Sequence, residues 1–538
     1  GLLEEYAACM LKKRDWEQAL FLAGKGEAAA PGRTARPRTD ARVRALPTQV
    51  DWDAQPAADK RYPRAVRHAL LEQIDCDLPG TLDVVAQLGN ISAASPRQPA
   101  NWNLEAVSRL CYYTYGPTVL QEVPGATLTL RAVPSAGARY PCELYIALRG
   151  ASGLRPGLYH YTAAEHALET VHDTDCLPAL STAAGEAPAM VAADAIVLVS
   201  TVWWRSAWKY GDRAYRYCLQ DAGHVASNVA LVAMALGYRA TIIHHFIDAS
   251  VAQLMGLDPA NEAVQVLVAV QAGAPAPPAA MHPPARPLVP ATAVNGSAAG
   301  PMPAIVNAHL ATVEPDRAAV LSRRACDLRG VAGPPRTEPA WLVPLPRAAG
   351  EPSSAVSLCQ SLLERRSTHH YAPAPLSASA FAILVQALTS EFAADIPATT
   401  QRALLDLYLI VNDVAGVPPG AYRYLVESHS LLTIRTGNLR EWAAHLALDQ
   451  AFCREAAALA FFVTNLGPAA ARCGERVYRT AHIEAGMRGQ ATYLAAHAID
   501  VGCTGIGAFY DLEVTSFLTA PEQAAVVYVL ALGRPADF

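Results

Sequence analysis

The chain is 538 residues long, 52% hydrophobic and 17% charged, with a net charge of −5 and a pI of about 6.3. That is too long for one ordinary domain, and the balance lacks the basic excess of a nucleic-acid binder. No apolar run approaches the roughly 20 residues that span a bilayer. No secretory signal opens the chain. Eleven cysteines without a CxxC pair or zinc spacing predict reduced thiols, a cytoplasmic location and no metal.

Residues 1–25 read as an amphipathic helix, with Leu3, Tyr6, Leu11, Trp16 and Leu20 among its apolar positions. Residues 26–60 are rich in Ala, Pro, Arg and Asp and predict a tether. A further helical piece is expected near Val66–Ile74. The globular pattern begins near Asn101. A helix around Ala106–Tyr115 leads to the loop RAVPSAGARYP (131–141). Strands ELYIALRG, PGLYHY and AIVLVSTVW follow, then a long helix over about Ala214–Leu236 and a last strand, QVLVAVQAG. Residues 274–304 are Pro/Ala/Gly-rich, the composition of a partly extended linker. A second globular pattern starts near Ser357. The expected plan is an N-terminal arm and tether (1–95), a first domain (96–273), a linker (274–350) and a second domain (351–538).

The second half repeats the first. PGLYHY matches PGAYRY, ELYIAL matches DLYLIV, DRAYR matches ERVYR and DAGHVASNVAL matches EAGMRGQATYL, each pair 263 residues apart. One ungapped offset through four segments identifies a tandem duplication. The order of elements predicts two α+β units, with helices packed on mostly antiparallel sheets.

The copies differ where chemistry is expected. In the first, Pro134, Ser135, Ala136 and Gly137 form a loop with almost no side chain, which lets a flat ligand approach the backbone. Lys209 and Tyr210 put an amine beside a phenol among Trp203, Trp204 and Trp208, which suits proton transfer. Both have ordinary pKa values near 10; burial would favour a neutral Lys209, and which of the two acts as base stays open. Their counterparts are Arg472 and Cys473, and Ser135–Gly137 fall on Ala398, Thr399 and Thr400.

The second copy has ERRST, with Arg365, Arg366 and Ser367 before a helix. It also has GCTGIGAFYD, with Gly505, Ile506 and Gly507, and a terminal LALGRP with Arg534. Guanidinium forks plus a Gly-rich backbone make a phosphate cradle. By rough alignment the first copy has LGNISAASPR (88–97) at the ERRST position, and GYRATIIHHFID (237–248) where the glycines were, with His244 and His245 in the degraded stretch. Taken singly, these motifs read as a helix cap and a plain turn; their complementary loss points to one site shared between copies. Arg213 and Arg216 keep counterparts in Arg476 and Arg479, so structural ion pairing is as good a reading for them as catalysis. A core or surface role is the better reading of His224. Gly223 and Gly486 read as points of close helix packing.

These residues resemble the nitroreductase superfamily of flavin enzymes over nearly all of both repeats. The resemblance implies two tandem nitroreductase-like domains forming an intramolecular pseudo-dimer with one FMN at the interface. Arg365, Arg366, Ser367, Gly505, Ile506, Gly507 and Arg534 match the phosphate side, and Pro134, Ser135, Ala136 and Gly137 match the loop of the other subunit. Within the superfamily, PSAGARYP, GLYHY and KYGDRAYRYCLQDAGH look like the peptide azoline dehydrogenases, whose catalytic signature is the pair found here as Lys209–Tyr210. These oxidise thiazolines and oxazolines to thiazoles and oxazoles in ribosomal peptide natural products. The resemblance implies an azoline-containing precursor peptide as substrate and cyclodehydratase proteins of the same pathway as partners, with no nucleic-acid or membrane partner. An NAD(P)H-dependent nitro- or quinone-reductase and a non-catalytic scaffold are the competing readings.

Overall fold

The computed structural model describes residues 55–71, 84, 102–123, 126–151, 153–272, 302–331, 341–346 and 356–536. The expected helix over 1–25, most of the tether and of the 274–304 linker, and the LGNISAASPR segment lie outside them.

Sixteen strands are described. The first half has β1 (Arg67–Ala69), a hairpin of β2 (Pro117–Val123) and β3 (Ala126–Arg131), β4 (Cys142–Leu148), β5 (Gly157–Thr162), β6 (Ala167–His172), β7 (Ala195–Val202), β8 (Arg239–Ile243) and β9 (Glu262–Gln271). The second has β10 (Leu342–Pro344), β11 (Asp406–Val411), β12 (Gly420–Leu425), β13 (Ser430–Thr436), β14 (Ala458–Thr464), β15 (Gly502–Ile506) and β16 (Ala525–Gly533). The two seven-stranded sheets have the same order, β1-β6-β5-β4-β7-β9-β8 and β10-β13-β12-β11-β14-β16-β15, with antiparallel pairs throughout. Central strands such as AIVLVSTV are buried along their whole length, because helices cover both faces. One apolar core runs through both halves, and each sheet has a smaller core on its outer face.

The halves meet through two long buried helices, Ala214–Ala235 and Arg476–Ala498. A Cβ on Gly223 would lie 2.2 Å from the Ile483 carbonyl oxygen, and one on Gly486 would lie 2.2 Å from that of Gln220. Only glycine permits this crossing, and the contact is reciprocal at the 263-residue offset. The arginines obey the same symmetry. Arg213 and Arg216 reach across to Asp511 at 2.8 and 2.5 Å, while Arg476 and Arg479 reach back to Asp248 at 2.6 and 2.8 Å. Burial works to raise the Asp248 pKa, but Arg476 and Arg479 outweigh it and bring it down to about 2. Tyr215 and Tyr478 stack between the pairs, rings 6.2 Å apart and 5° from parallel. The arginines kept in both copies are therefore cross-repeat ties.

Three expectations are corrected. The stretch near Val66–Ile74 holds a short strand, β1, because pairing with β6 satisfies backbone groups on an open sheet edge. Residues 55–60, the end of the expected tether, are docked on the first domain. There Lys60 is buried, with its amine 2.6 Å from Glu262 and 2.7 Å from the Tyr145 hydroxyl. The thiols are not all reduced: Cys326 and Cys473 are disulfide-bonded.

Candidate functional site

The loop between β3 and β4 forms the first wall. Gly137 (φ +58°), Ala138 (+53°) and Tyr140 (+47°) all adopt left-handed backbone, strain that persists only where the surroundings impose it. Asp221 on the first long helix imposes it. The Ser135 hydroxyl donates to its carboxylate at 2.5 Å and accepts the Tyr140 N–H at 2.8 Å. Burial raises the Asp221 pKa, opposed by hydrogen bonds from His224, Ser135 and the Ala136 N–H.

Lys209 and Tyr210 close the helix Trp204–Tyr210 directly against this loop. A Cβ on Gly137 would lie 2.2 Å from the Tyr210 hydroxyl and 3.0 Å from the Lys209 amine, so only glycine fits. The amine sits 5.2 Å above the Tyr210 ring. Burial lifts the Tyr210 pKa, helped by Tyr217 and opposed by Arg139. The phenol keeps its proton.

The opposite wall comes from the second half. Arg365, at the end of the helix Leu358–Glu364, is 4% exposed. Its guanidinium lies 5.1 Å over the Tyr493 ring, donates a long bond (3.5 Å) to the Arg131 carbonyl, and leaves Nε without a partner. No carboxylate pairs with it among the described residues. A buried cation without a counter-charge is costly, and this one sits where an anionic ligand would neutralise it. The Ser367 hydroxyl meets the Tyr493 hydroxyl at 2.9 Å, which also accepts the Gly505 N–H at 2.5 Å. A Cβ on Gly505 would strike the Tyr528 hydroxyl, and one on Gly507 would strike the Tyr217 ring.

The walls are joined. His224 Nδ1 donates to the Pro134 carbonyl and its Nε2 accepts from the Tyr528 hydroxyl, both at 3.2 Å. This buries His224 between the two walls, the core half of the core-or-surface reading. The Tyr210 and Tyr217 rings meet edge to face at 5.0 Å, and Arg213 Nε donates to the Gly507 carbonyl at 3.0 Å.

Not every expected residue points inward. Arg366 folds back onto the carbonyls of Leu363 and Arg365 and caps its helix. The RRS segment thus follows a helix rather than preceding one. Ile506 turns into the outer core of the second sheet and offers only backbone. Arg534 is exposed beside the Arg366–Tyr371 stretch, its carbonyl bonded to the Ala372 N–H at 2.9 Å. Asp221, Tyr217, Tyr493 and Tyr528 were missed. Their counterparts Glu484, Thr480, Ala230 and Gln265 all differ, so comparing the copies position by position would have found them.

The family model for the nitroreductase family matches residues 93–273 and 362–534. The chain belongs to the nitroreductase family. A solved nitroreductase from Anabaena variabilis is 28% identical with a TM-score of 0.72, covering 93% of this chain and 99% of its own. A nitroreductase by name from Methanocaldococcus jannaschii is 30% identical over 152 residues, 28% of this chain and 73% of that protein. The trifolitoxin-processing protein TfxB of Rhizobium leguminosarum is 28% identical over 195 residues, 34% of this chain; the match spans only 52% of TfxB.

A nitroreductase pseudo-dimer has a second position related by the internal symmetry, and here protein atoms fill it. His244 stands in place of Gly507 and bonds Glu484, the counterpart of Asp221, at 2.9 Å. Gln401, in place of Ala138, bonds the same carboxylate at 3.2 Å. The Asp395 carboxylate accepts the backbone N–H groups of His244 and His245 at 2.8 and 3.2 Å. The segment before β10 covers the rest. Cys326 is bonded to Cys473, the Thr400 hydroxyl donates to the Cys326 carbonyl at 2.7 Å, and Arg472 donates to the Arg329 carbonyl at 3.1 Å.

Proposed function

We propose that this nitroreductase-family oxidoreductase is an FMN-dependent dehydrogenase that oxidises peptide thiazolines or oxazolines to thiazoles or oxazoles, with one FMN per chain held between the halves. The observation that carries the reading is the Lys209–Tyr210 pair pressed against Gly137, opposite a buried Arg365 with no counter-ion, an arrangement present once among the described residues. The toxin-processing role named for TfxB supports a substrate of natural-product type.

The residues fit the cofactor. Arg365 has an unpartnered Nε for a phosphate, with Ser367 two residues on and the exposed Arg534 beside that stretch, and the Gly137, Gly505 and Gly507 positions admit no side chain. FMN, when bound, would supply the two-electron acceptor for the hydride. Lys209, in its amine form, accepts the proton from one ring carbon as the neighbouring carbon loses the hydride; Tyr210 keeps its own proton and donates a hydrogen bond to the substrate. The Asp221–Ser135 contact holds the loop that fixes the ring against this pair.

Mass spectrometry of an azoline peptide after incubation with the purified chain and O2 as terminal oxidant tests the reading. The expected result is a loss of two hydrogens per ring, absent for Lys209→Ala. Unchanged rings together with rapid flavin bleaching by NADPH would instead favour a nitro- or quinone-reductase. A protein without flavin would favour a scaffold.

A further inference from the structure

A cavity of about 120 Å³ opens beside Ala138–Tyr140, directly after the Pro134–Gly137 loop. Its walls are the docked segment Gln55–Asp59, Thr129 and Arg131 of the hairpin, Ala138–Tyr140, the turn at Ala163–Ala164, and Arg205. Pockets that take whole small molecules measure roughly 300–1,000 Å³; this one has the scale of a single side chain. Its lining carries three guanidiniums against the one carboxylate of Asp59.

Two of the three build the wall. Arg131 pairs with Asp59 at 2.9 Å and lies over the Tyr115 ring. Arg205 donates to the carbonyls of Ala57 and Tyr140 and pairs with Glu143. Arg139 is different. Its Nε donates to the Gly137 carbonyl at 2.9 Å and its guanidinium lies 5.7 Å over the Trp208 ring, with no carboxylate beside it among the described residues. A guanidinium fixed at Nε and supported on an indole presents its two terminal nitrogens as a fork, the geometry that binds carboxylate in bidentate fashion. Arg139 is two residues from Gly137, whose Cβ position lies 3.0 Å from the Lys209 amine.

We propose that Arg139 and this cavity form a subsite for a carboxylate carried by the peptide substrate, within about three residues (~10 Å of extended chain) of the ring that reaches Lys209 and Tyr210. The proposal rests on the peptide-oxidation reading for the position of the ring, and it adds the charge of the flanking segment. The carboxylate comes from an Asp or Glu side chain beside the ring or from the peptide's C-terminus.

The test uses the full chain and three matched fluorescent azoline peptides: one with Asp beside the ring and an amidated C-terminus, its Asn counterpart, and the Asn peptide with a free C-terminal carboxylate. Affinity is read by fluorescence anisotropy at low and high salt, independently of turnover. An acid-bearing peptide should bind about ten-fold or more tighter than the amidated Asn peptide, as charge-assisted bonds require. The preference should shrink with salt, fall below two-fold in Arg139→Gln, and be partly kept in Arg139→Lys. Which acid-bearing peptide gains identifies the source of the carboxylate. Equal binding of all three peptides by the unmutated protein overturns the subsite, as does an acid preference that Arg139→Gln leaves intact. Arg139-dependent binding with no loss of hydrogens keeps the subsite and removes the oxidation reading.

Discussion

The two interface positions of this molecule are related by one symmetry and have opposite fates. At the open one, loop residues 135–137 are small and β15 ends in glycines beside a buried Arg365 that no carboxylate of the described residues neutralises. At the sealed one, the equivalent backbone N–H groups end on an internal carboxylate, Asp395, and a disulfide-tied segment covers the counterpart of the Lys209–Tyr210 pair. The glycine crossing and the arginine–aspartate ties that join the halves are duplicated; the residues assigned to chemistry occur once. Packing constrains both copies equally, whereas ligand binding constrains only the copy that still binds.

The contrast can be broken most severely by copying the sealed half into the open one. Gly507→His places a ring where a Cβ alone would strike Tyr217; the expected outcome is complete loss of bound flavin, read from the visible absorbance of the purified protein. Next in size are the members of the pair. Lys209→Ala is expected to slow azoline oxidation by about 10²–10⁴-fold with flavin retained, and Tyr210→Phe by less, measured by single-turnover kinetics.

The ties should respond alike in both halves. Asp511→Asn and Asp248→Asn each remove a carboxylate shared by two buried guanidiniums, and each should lower unfolding free energy by about 3–5 kcal/mol in denaturant titrations. Only Asp511→Asn should also weaken flavin binding, because Arg213 bonds the Gly507 carbonyl.

The last and most gradual effect is pH. Burial, with Arg479 and Arg216 respectively, lowers His309 and His482 to a pKa of about 3. The unfolded chain therefore takes up protons below about pH 6.5 that the folded chain refuses. Stability falls as pH drops from there toward 3, by up to about 1.4 kcal/mol per pH unit for each histidine. Denaturation midpoints at pH 7 and 5 should converge in a His309→Leu/His482→Leu variant.

Much of this was legible in the sequence. The 263-residue offset exposed the duplication, and the unequal retention of Gly137, Lys209–Tyr210, Arg365 and Gly505–Gly507 marked out the candidate site. What stayed hidden depends on tertiary partners. The Cys326–Cys473 bond joins positions 147 residues apart with no local pattern. Strand β1 forms because β6 offers an open edge, which no property of RHA predicts. Arg366 reads like Arg365, yet it caps its own helix because that helix's terminal carbonyls are within reach of its side chain. His224 reads as an ordinary helix residue; its role depends on Pro134 and Tyr528, which lie far from it in the chain.

The exchange of carboxylates between halves has one more consequence. A fragment ending in the 274–301 stretch would inherit Arg213 and Arg216 without Asp511, and its complement would inherit Arg476 and Arg479 without Asp248. Each piece would expose the face of its long helix that the other now buries. The polypeptide should therefore melt in a single calorimetric transition, and co-expressed pieces should yield folded protein only as a reassembled pair.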